Sequence, residues 1–334
     1  MKILKSRDAD TGVLDGTRVV VMGYGNQGRP QALNLRDSGI DVSVAARSGG
    51  KGWDKAIEDG FVPLSIEDGA RTADVLMFLL PDEVQGRIFD EVVSERLRSG
   101  TAICFAHGFA VAFGEIKTTD QDVILVAPKG QGESVRSSYL EGSGLPGLIG
   151  VENDVSGHAW DIALAIAEGL GCLRIGGFRT SFREEAVSDI FGEQAVLCGG
   201  VPALVKKAWE LLVRKGFSPE VAYFECVQEL KIIVDLITRN GFSGMREMIS
   251  GTAAYGGLKY GESIITPETE EAMERLFEGI NKGDFARDWL KTSSSDREEL
   301  ETFLRSESGS KIEETGRMVR SLYEKGEDNE PAEG

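Results

Sequence analysis

Between Thr17 and Thr180 the chain alternates short β-branched and aromatic runs with amphipathic stretches of helix length. The runs are TRVVVMGYG, IDVSVAAR, ADVLMFLLP, TAICFAHGF, DVILVAPKG and GLPGLIGVE, and the helical HAWDIALAIAEGLG then leads to a short last one, CLRIGGFRT. Strand runs joined by helical connections build βαβ units, so this part is expected to form a parallel sheet with helices on both faces. After Ser181 the β signal stops, and only helical patterns follow, from SFREEAVSDIFGEQAVLCGG to KIEETGRMVRSLY. A chain of 334 residues suits two domains at about 150 residues each. The expected division is an α/β domain over 1–180, an all-α domain over 181–325, and an acidic tail over 326–334 with too little hydrophobicity to order itself. Within the helical part, Val221 to Ile237 is apolar on every side, which predicts a buried helix, begun by Ser218 as cap and Pro219 at its first position.

A formal net charge of −18 with no basic stripe argues against nucleic-acid or anionic-membrane partners. The four cysteines, Cys104, Cys172, Cys198 and Cys226, are widely spaced with no CxxC pair, which fits reduced thiols and a cytoplasmic setting. The opening MKILKSRDAD lacks the apolar core of a signal peptide, and no run of about 18 apolar residues marks a membrane span.

The first strand run leads directly into GYGNQG, with Gly23, Gly25 and Gly28 in GxGxxG spacing ahead of the helical QALNLRDSG. In that strand-turn-helix context the first glycine permits a tight turn, the second lets a pyrophosphate approach the backbone, and the third lets helix and strand pack closely. The bland alternative is a glycine-rich turn with no ligand. The second strand should end near Ala46, and Arg47, Ser48 and Lys51 follow with no acid until Asp54. A cation and a hydroxyl there suit a 2′-phosphate, favouring NADPH, with NADH as the alternative; a solvated loop arginine is the competing explanation.

Ligands of open α/β sheets sit beyond the carboxyl ends of the strands. His107, after TAICFA, and Lys129, after DVILVAP, would both face that crevice, whereas His158 begins an amphipathic helix where a solvated role is expected.

Asp189 and Glu193 are four apart, as are Glu225 and Glu229, so a helix puts each pair on one face. Both pairs lie among apolar residues, where an unpartnered charge costs several kcal/mol. Facing helices with inward carboxylates can hold two divalent ions, and all-oxygen ligation points to Mg²⁺ or Mn²⁺. Taken singly, each pair could instead be a solvated face or a salt-bridge partner, with Lys231 or Arg183 as counter-ion.

Together, GYGNQG with QALNLRDSG, LLPDEVQ, FAHGF, APKG, TSFREEAVSDIFGEQAVLCGG, AYFECVQELKIIVDLI and ISGTAAYG resemble the ketol-acid reductoisomerases, over nearly the whole chain to about Tyr323. The resemblance implies a Rossmann-like domain followed by a deeply knotted helical one, and a homodimer or higher homo-oligomer. It implies a metal site for two Mg²⁺ made of Asp189, Glu193, Glu225 and Glu229, the last two from the partner subunit in many members. Cofactor contacts would come from Gly23, Tyr24, Gly25, Asn26, Gln27, Gly28, Arg47, Ser48, Lys51, Leu80, Pro81, Asp82, Gln85 and His107. Ser250 and Ala253 would bind substrate; His107, Lys129 and Glu229 would be catalytic, with Glu229 as proton donor or acceptor. The implied reaction is an alkyl shift in 2-acetolactate or 2-aceto-2-hydroxybutyrate followed by hydride transfer from NADPH, giving a 2,3-dihydroxy acid of branched-chain amino-acid biosynthesis.

Several positions depart from that family's usual residues: Arg29 and Pro30 after the glycine turn, Gln131 and Glu133 after APKG, Gly251 and Ala254 around Ser250, and the segment 256–263. The presumed metal ligands are all retained. An ordinary reductoisomerase is the leading reading. A diverged relative acting on another 2-keto or 2-imino acid is the second, and a catalytically silent NADPH-binding protein the third.

Overall fold

The computed structural model describes residues 2–291 and 294–327. The chain divides into two compact units, the first ending at Asp189 and the second beginning at Ile190. The division falls inside a helix because that helix's first turns belong to the sheet's core: Phe182 is buried and meets Phe105 edge to face, with ring centres 5.8 Å apart.

In the first unit seven strands form one sheet in the order β2-β1-β3-β4-β5-β6-β7: β1 (Val19–Met22), β2 (Val42–Ala45), β3 (Val75–Phe78), β4 (Ala102–Phe105), β5 (Asp122–Pro128), β6 (Gly147–Asn153) and β7 (Gly177–Arg179). β1, β3, β4 and β5 are buried along their whole length, as continuous β-branched runs with cover on both faces require. One apolar cluster lies on each face, the first including α1 (Gly28–Asp37) and α7 (Ala159–Gly169), the second including α3 (Ile66–Thr72) and Phe182. The parallel sheet expected from the sequence needs one correction: β5 and β6 pair antiparallel. After β5, α6 (Gly132–Leu140) is followed by Gly142 and Gly144, both at positive φ. These turn the chain back to the end it left, where Lys129 N–H donates to Pro146 O at 2.8 Å.

The second unit is helical in the described residues, including α10 (Gly200–Arg214), α11 (Pro219–Tyr223), α12 (Leu230–Met248), α13 (Gly251–Ile264) and α17 (Lys311–Glu327). Its local core joins Trp209, Ala222, Tyr223 and Val319. Ser218 caps α11 through the Val221 N–H, and Pro219 is its first residue. The expected continuous buried helix over Val221–Ile237 is not found. A π-helical turn, Phe224–Gln228, separates α11 from α12, and Val221, Ile232 and Val234 are exposed. An apolar surface on every side calls for cover, but the sequence does not say that the same chain supplies it. Of the expected disordered tail, residues 326–327 belong to α17 and 328–334 lie outside the described residues. No helix among the described residues is long and apolar enough to cross a membrane.

Candidate active site

Strand order reverses at β1, with β2 on one side and β3 on the other, so a crevice opens beyond their carboxyl ends. The glycine turn sits there. Gly23 has φ +98°, and a Cβ on it would lie 2.5 Å from Leu79 O; a Cβ on Gly28 would lie 1.8 Å from Gly23 O. At Gly25 a Cβ would meet nothing within 4 Å. Two glycines therefore close the turn, and the third leaves open space at the start of α1, a cradle that fits a pyrophosphate. Asn26 and Gln27 complete the turn: a Cβ on Gly132 would lie 1.6 Å from Asn26 O, and Gln27 Nε2 donates to Gly130 O at 3.2 Å. The loop after β5 is thus pressed onto the turn.

Arg47, Ser48 and Lys51 lie between β2 and the start of α2 (Lys51–Glu58), all exposed, and among the described residues none pairs with a carboxylate. They are available to a phosphate. After β3, Leu80 and Pro81 lead into α4 (Asp82–Ile88), whose Gln85 Nε2 donates to Leu80 O at 2.7 Å and to Asp82 Oδ1 at 3.3 Å. Burial raises the pKa of Asp82.

Beyond β4 and β5 the polar groups converge. His107 Nδ1 lies 2.9 Å from Glu185 Oε2, which also accepts from Gly108 N–H at 2.7 Å. Lys129 Nζ donates to Glu185 Oε1 at 2.7 Å and to Asp189 Oδ1 at 2.8 Å, while Asp189 Oδ2 is 3.8 Å from His107 Nδ1. Glu185 and Asp189 are one turn apart on α9 (Phe182–Gly192), whose docking through Phe182 fixes their position. Burial opposes the charge on Glu185, yet His107 and Lys129 outweigh it and hold the carboxyl down at about 2. Burial would lower His107, but the Glu185 hydrogen bond and the charges of Glu185, Asp82 and Asp189 raise it. Lys129 behaves alike, raised by Glu185 and Asp189 against its own burial.

Ligand atoms of His107, Glu185 and Asp189 lie within 4.8 Å of one another, as a divalent ion would need. Both oxygens of Glu185 are already engaged, however, so it positions its neighbours. Asp189 has one oxygen on Lys129 and one to offer, which suits a hard cation. Sequence reasoning missed Glu185. Its only signal was its place four residues before Asp189, which extends the Asp189–Glu193 spacing by one turn.

The buried setting expected for the four acids is corrected. Asp189 keeps 32% of its side-chain surface, and Glu193, Glu225 and Glu229 are exposed, because the apolar residues around them are themselves uncovered in one chain. Lys231, a suggested counter-ion, pairs instead with Asp235 at 2.6 Å, and the cation on Asp189 is Lys129. A π-helical turn, Glu193–Leu197, begins at Glu193, and the turn Phe224–Gln228 contains Glu225 and ends just before Glu229; a third, Phe89–Val93, carries none of the four acids. Such turns shift side chains off the regular helical face and are frequent at functional sites. Ser250 caps α13: its Oγ accepts from Ala253 N–H at 3.2 Å, which leaves the hydroxyl proton to donate elsewhere.

Comparison with known proteins matches residues 13–176 to the family described as "Acetohydroxy acid isomeroreductase, NADPH-binding domain" and 182–325 to "Ketol-acid reductoisomerase, C-terminal domain". A curated "Ketol-acid reductoisomerase (NADP(+))" of Methanothermobacter thermautotrophicus is 45% identical over 323 residues, covering 96% of this chain and 98% of that protein. The solved structure of an NADH-preferring ketol-acid reductoisomerase from an uncultured archean superposes with a TM-score of 0.92 at 41% identity, covering 96% of this chain and 99% of the other. A semialdehyde dehydrogenase NAD-binding protein from Cupriavidus necator shares the fold alone, with a TM-score of 0.57 at 19% identity over 78% of this chain and 99% of that one.

Proposed function

Because the chain belongs to the ketol-acid reductoisomerase family, we propose that it converts 2-acetolactate and 2-aceto-2-hydroxybutyrate to 2,3-dihydroxy acids, by an alkyl shift and then a hydride transfer from NADPH. It is an oxidoreductase of that type, binding NADP(H) and a small-molecule substrate, in branched-chain amino-acid biosynthesis. The observation that carries the reading is the Glu185–Lys129–Asp189 network at the strand ends beside the dinucleotide turn, in a chain matched to the family over almost its full length.

The preference for NADPH over NADH rests on Arg47, Ser48 and Lys51, three polar side chains with no carboxylate to claim them among the described residues. Asp189, Glu193, Glu225 and Glu229 are the ligands in this reading, an all-carboxylate set suited to Mg²⁺. Bound Mg²⁺ would supply the polarisation of adjacent ketone and hydroxyl oxygens that a 1,2-shift requires. Lys129 holds the Asp189 carboxylate in place and keeps a positive charge beside it. His107, fixed through Nδ1 by Glu185, has its other ring nitrogen to exchange a proton. Glu229 serves as proton donor or acceptor, and the Ser250 hydroxyl contacts the substrate carboxylate or hydroxyl. The exposure of Glu225, Glu229 and the apolar residues near them supports a homodimer in which a second copy covers these surfaces. The wide spacing of the four cysteines, with no CxxC pair, supports a cytoplasmic setting.

The test is NADPH oxidation with Mg²⁺ and one of three substrates: 2-acetolactate, 3-hydroxy-3-methyl-2-ketobutyrate, or a simple 2-keto acid. Turnover of the first two is expected. Turnover of the second alone would mean that reduction survives without isomerisation, and turnover of the third alone would favour the diverged reading suggested by Gly251 and Ala254.

A further inference from the structure

Arg29, the second residue of α1, meets Asp59 in a bidentate ion pair, Nε to Oδ2 at 2.6 Å and Nη2 to Oδ1 at 2.9 Å. Asp59 is the C-cap of α2. Tyr24, inside the glycine turn, donates its hydroxyl to Asp59 Oδ2 at 3.0 Å and packs edge-on against Phe61, with centroids 5.8 Å apart. Arg36 donates to Asp59 O at 2.7 Å and covers the Phe61 ring at 4.7 Å. The Arg29 guanidinium holds the Asp59 carboxyl below the usual range, and Asp59 raises Arg29 in return. Asp59 therefore ties together the glycine turn, two turns of α1 and the far end of α2.

The nucleotide spans these same parts. Its pyrophosphate belongs at the turn, and its 2′-phosphate at Arg47, Ser48 and Lys51, at the opposite end of α2 from Asp59. An eight-residue helix is ~12 Å long, so a tilt of ~10° about Asp59 would move its first residue by ~2 Å. That is enough to lose a phosphate hydrogen bond.

We infer that Arg29 and Asp59 are a positioning pair that sets α2 against the glycine turn and thereby controls discrimination between nucleotides with and without a 2′-phosphate. This rests on the NADPH reading above. It also gives a role to Arg29, one of the departures from the family pattern: the Nε–Nη2 edge of its guanidinium is taken by Asp59.

The test titrates NADPH and NADH by nicotinamide fluorescence into the wild type, Arg29→Leu, Asp59→Asn and the double variant, with melting temperature recorded for each; Arg29→Lys is a milder second probe. Each single variant should weaken NADPH about tenfold and NADH about threefold or less, with the double no weaker than the worse single. Arg29→Lys should fall between wild type and Arg29→Leu. Unchanged NADPH affinity in Asp59→Asn with loss in Arg29→Leu would mean that Arg29 touches the nucleotide directly, and would overturn the inference. Equal losses of both nucleotides accompanied by lower melting temperatures would overturn it too, in favour of a purely structural pair. If the wild type bound neither nucleotide, the NADPH reading itself would fall, and the inference with it.

Discussion

Lys129 and Asp189 lie 2.8 Å apart, and the same ammonium reaches Glu185 at 2.7 Å, so one cation bridges two carboxylates a helical turn apart. The bridge orders the acid that would ligate metal before any metal arrives, and Glu185, almost fully buried, is its fixed end.

Replacing Glu185 with Gln keeps the shape and removes the charge. Lys129 keeps a third of its surface in water, so the loss is smaller than for a fully buried pair: ~2–3 kcal/mol of stability in urea unfolding. Because Glu185 acts through Lys129, His107 and Asp189, kcat should also fall about 10- to 100-fold while the NADPH dissociation constant stays near that of wild type.

In the metal-free protein the same network shapes stability against pH. Glu185 is depressed from 4.5 to about 2, so its contribution is present above 4.5 and disappears as pH falls from there towards 2. His107 is raised above 6.5, so its contribution is full below 6.5 and is lost as pH climbs through its folded value. Urea midpoints of the wild type should therefore fall on both limbs, and those of Glu185→Gln should be flatter on both.

The glycines of the turn separate fold from ligand. Gly28→Ala puts a methyl 1.8 Å from Gly23 O and should cost ~2–3 kcal/mol of stability. Gly25→Ala meets nothing in the protein, so its melting temperature should stay close to wild type while NADPH binding weakens about tenfold or more. A fall in stability for Gly25→Ala would mean that its open space has another use.

The exposed apolar residues of the helical unit call for cover. Light scattering should give a mass of at least two chains, and Ile232→Glu, at an exposed apolar position, should shift the protein towards monomer and lower activity. A monomer with full wild-type activity would contradict the second copy.

Much of the first unit was legible because β-branched runs separated by helical spacers admit few arrangements, and GYGNQG places its strand and helix without ambiguity. The reversal at β6 was not legible, since the residue pattern of a strand carries no direction. Asp189, Lys129 and His107 stood out by spacing or by place at strand ends, whereas Glu185 did not. An acid in a helical segment, here next to Glu184, looks solvated until the packing of Phe182 turns it inward. The hydrophobic neighbours of Glu225 and Glu229 report a need for cover and not its source, so both acids are exposed where burial is expected.

Calorimetric titration of Mg²⁺ into the wild type and into Asp189→Asn and Glu229→Gln tests the metal-dependent chemistry most directly. About two ions per chain should bind the wild type, with affinity lowered about tenfold or more in each variant. No heat of binding in the wild type, or equal uptake by all three proteins, would contradict the assignment of these acids.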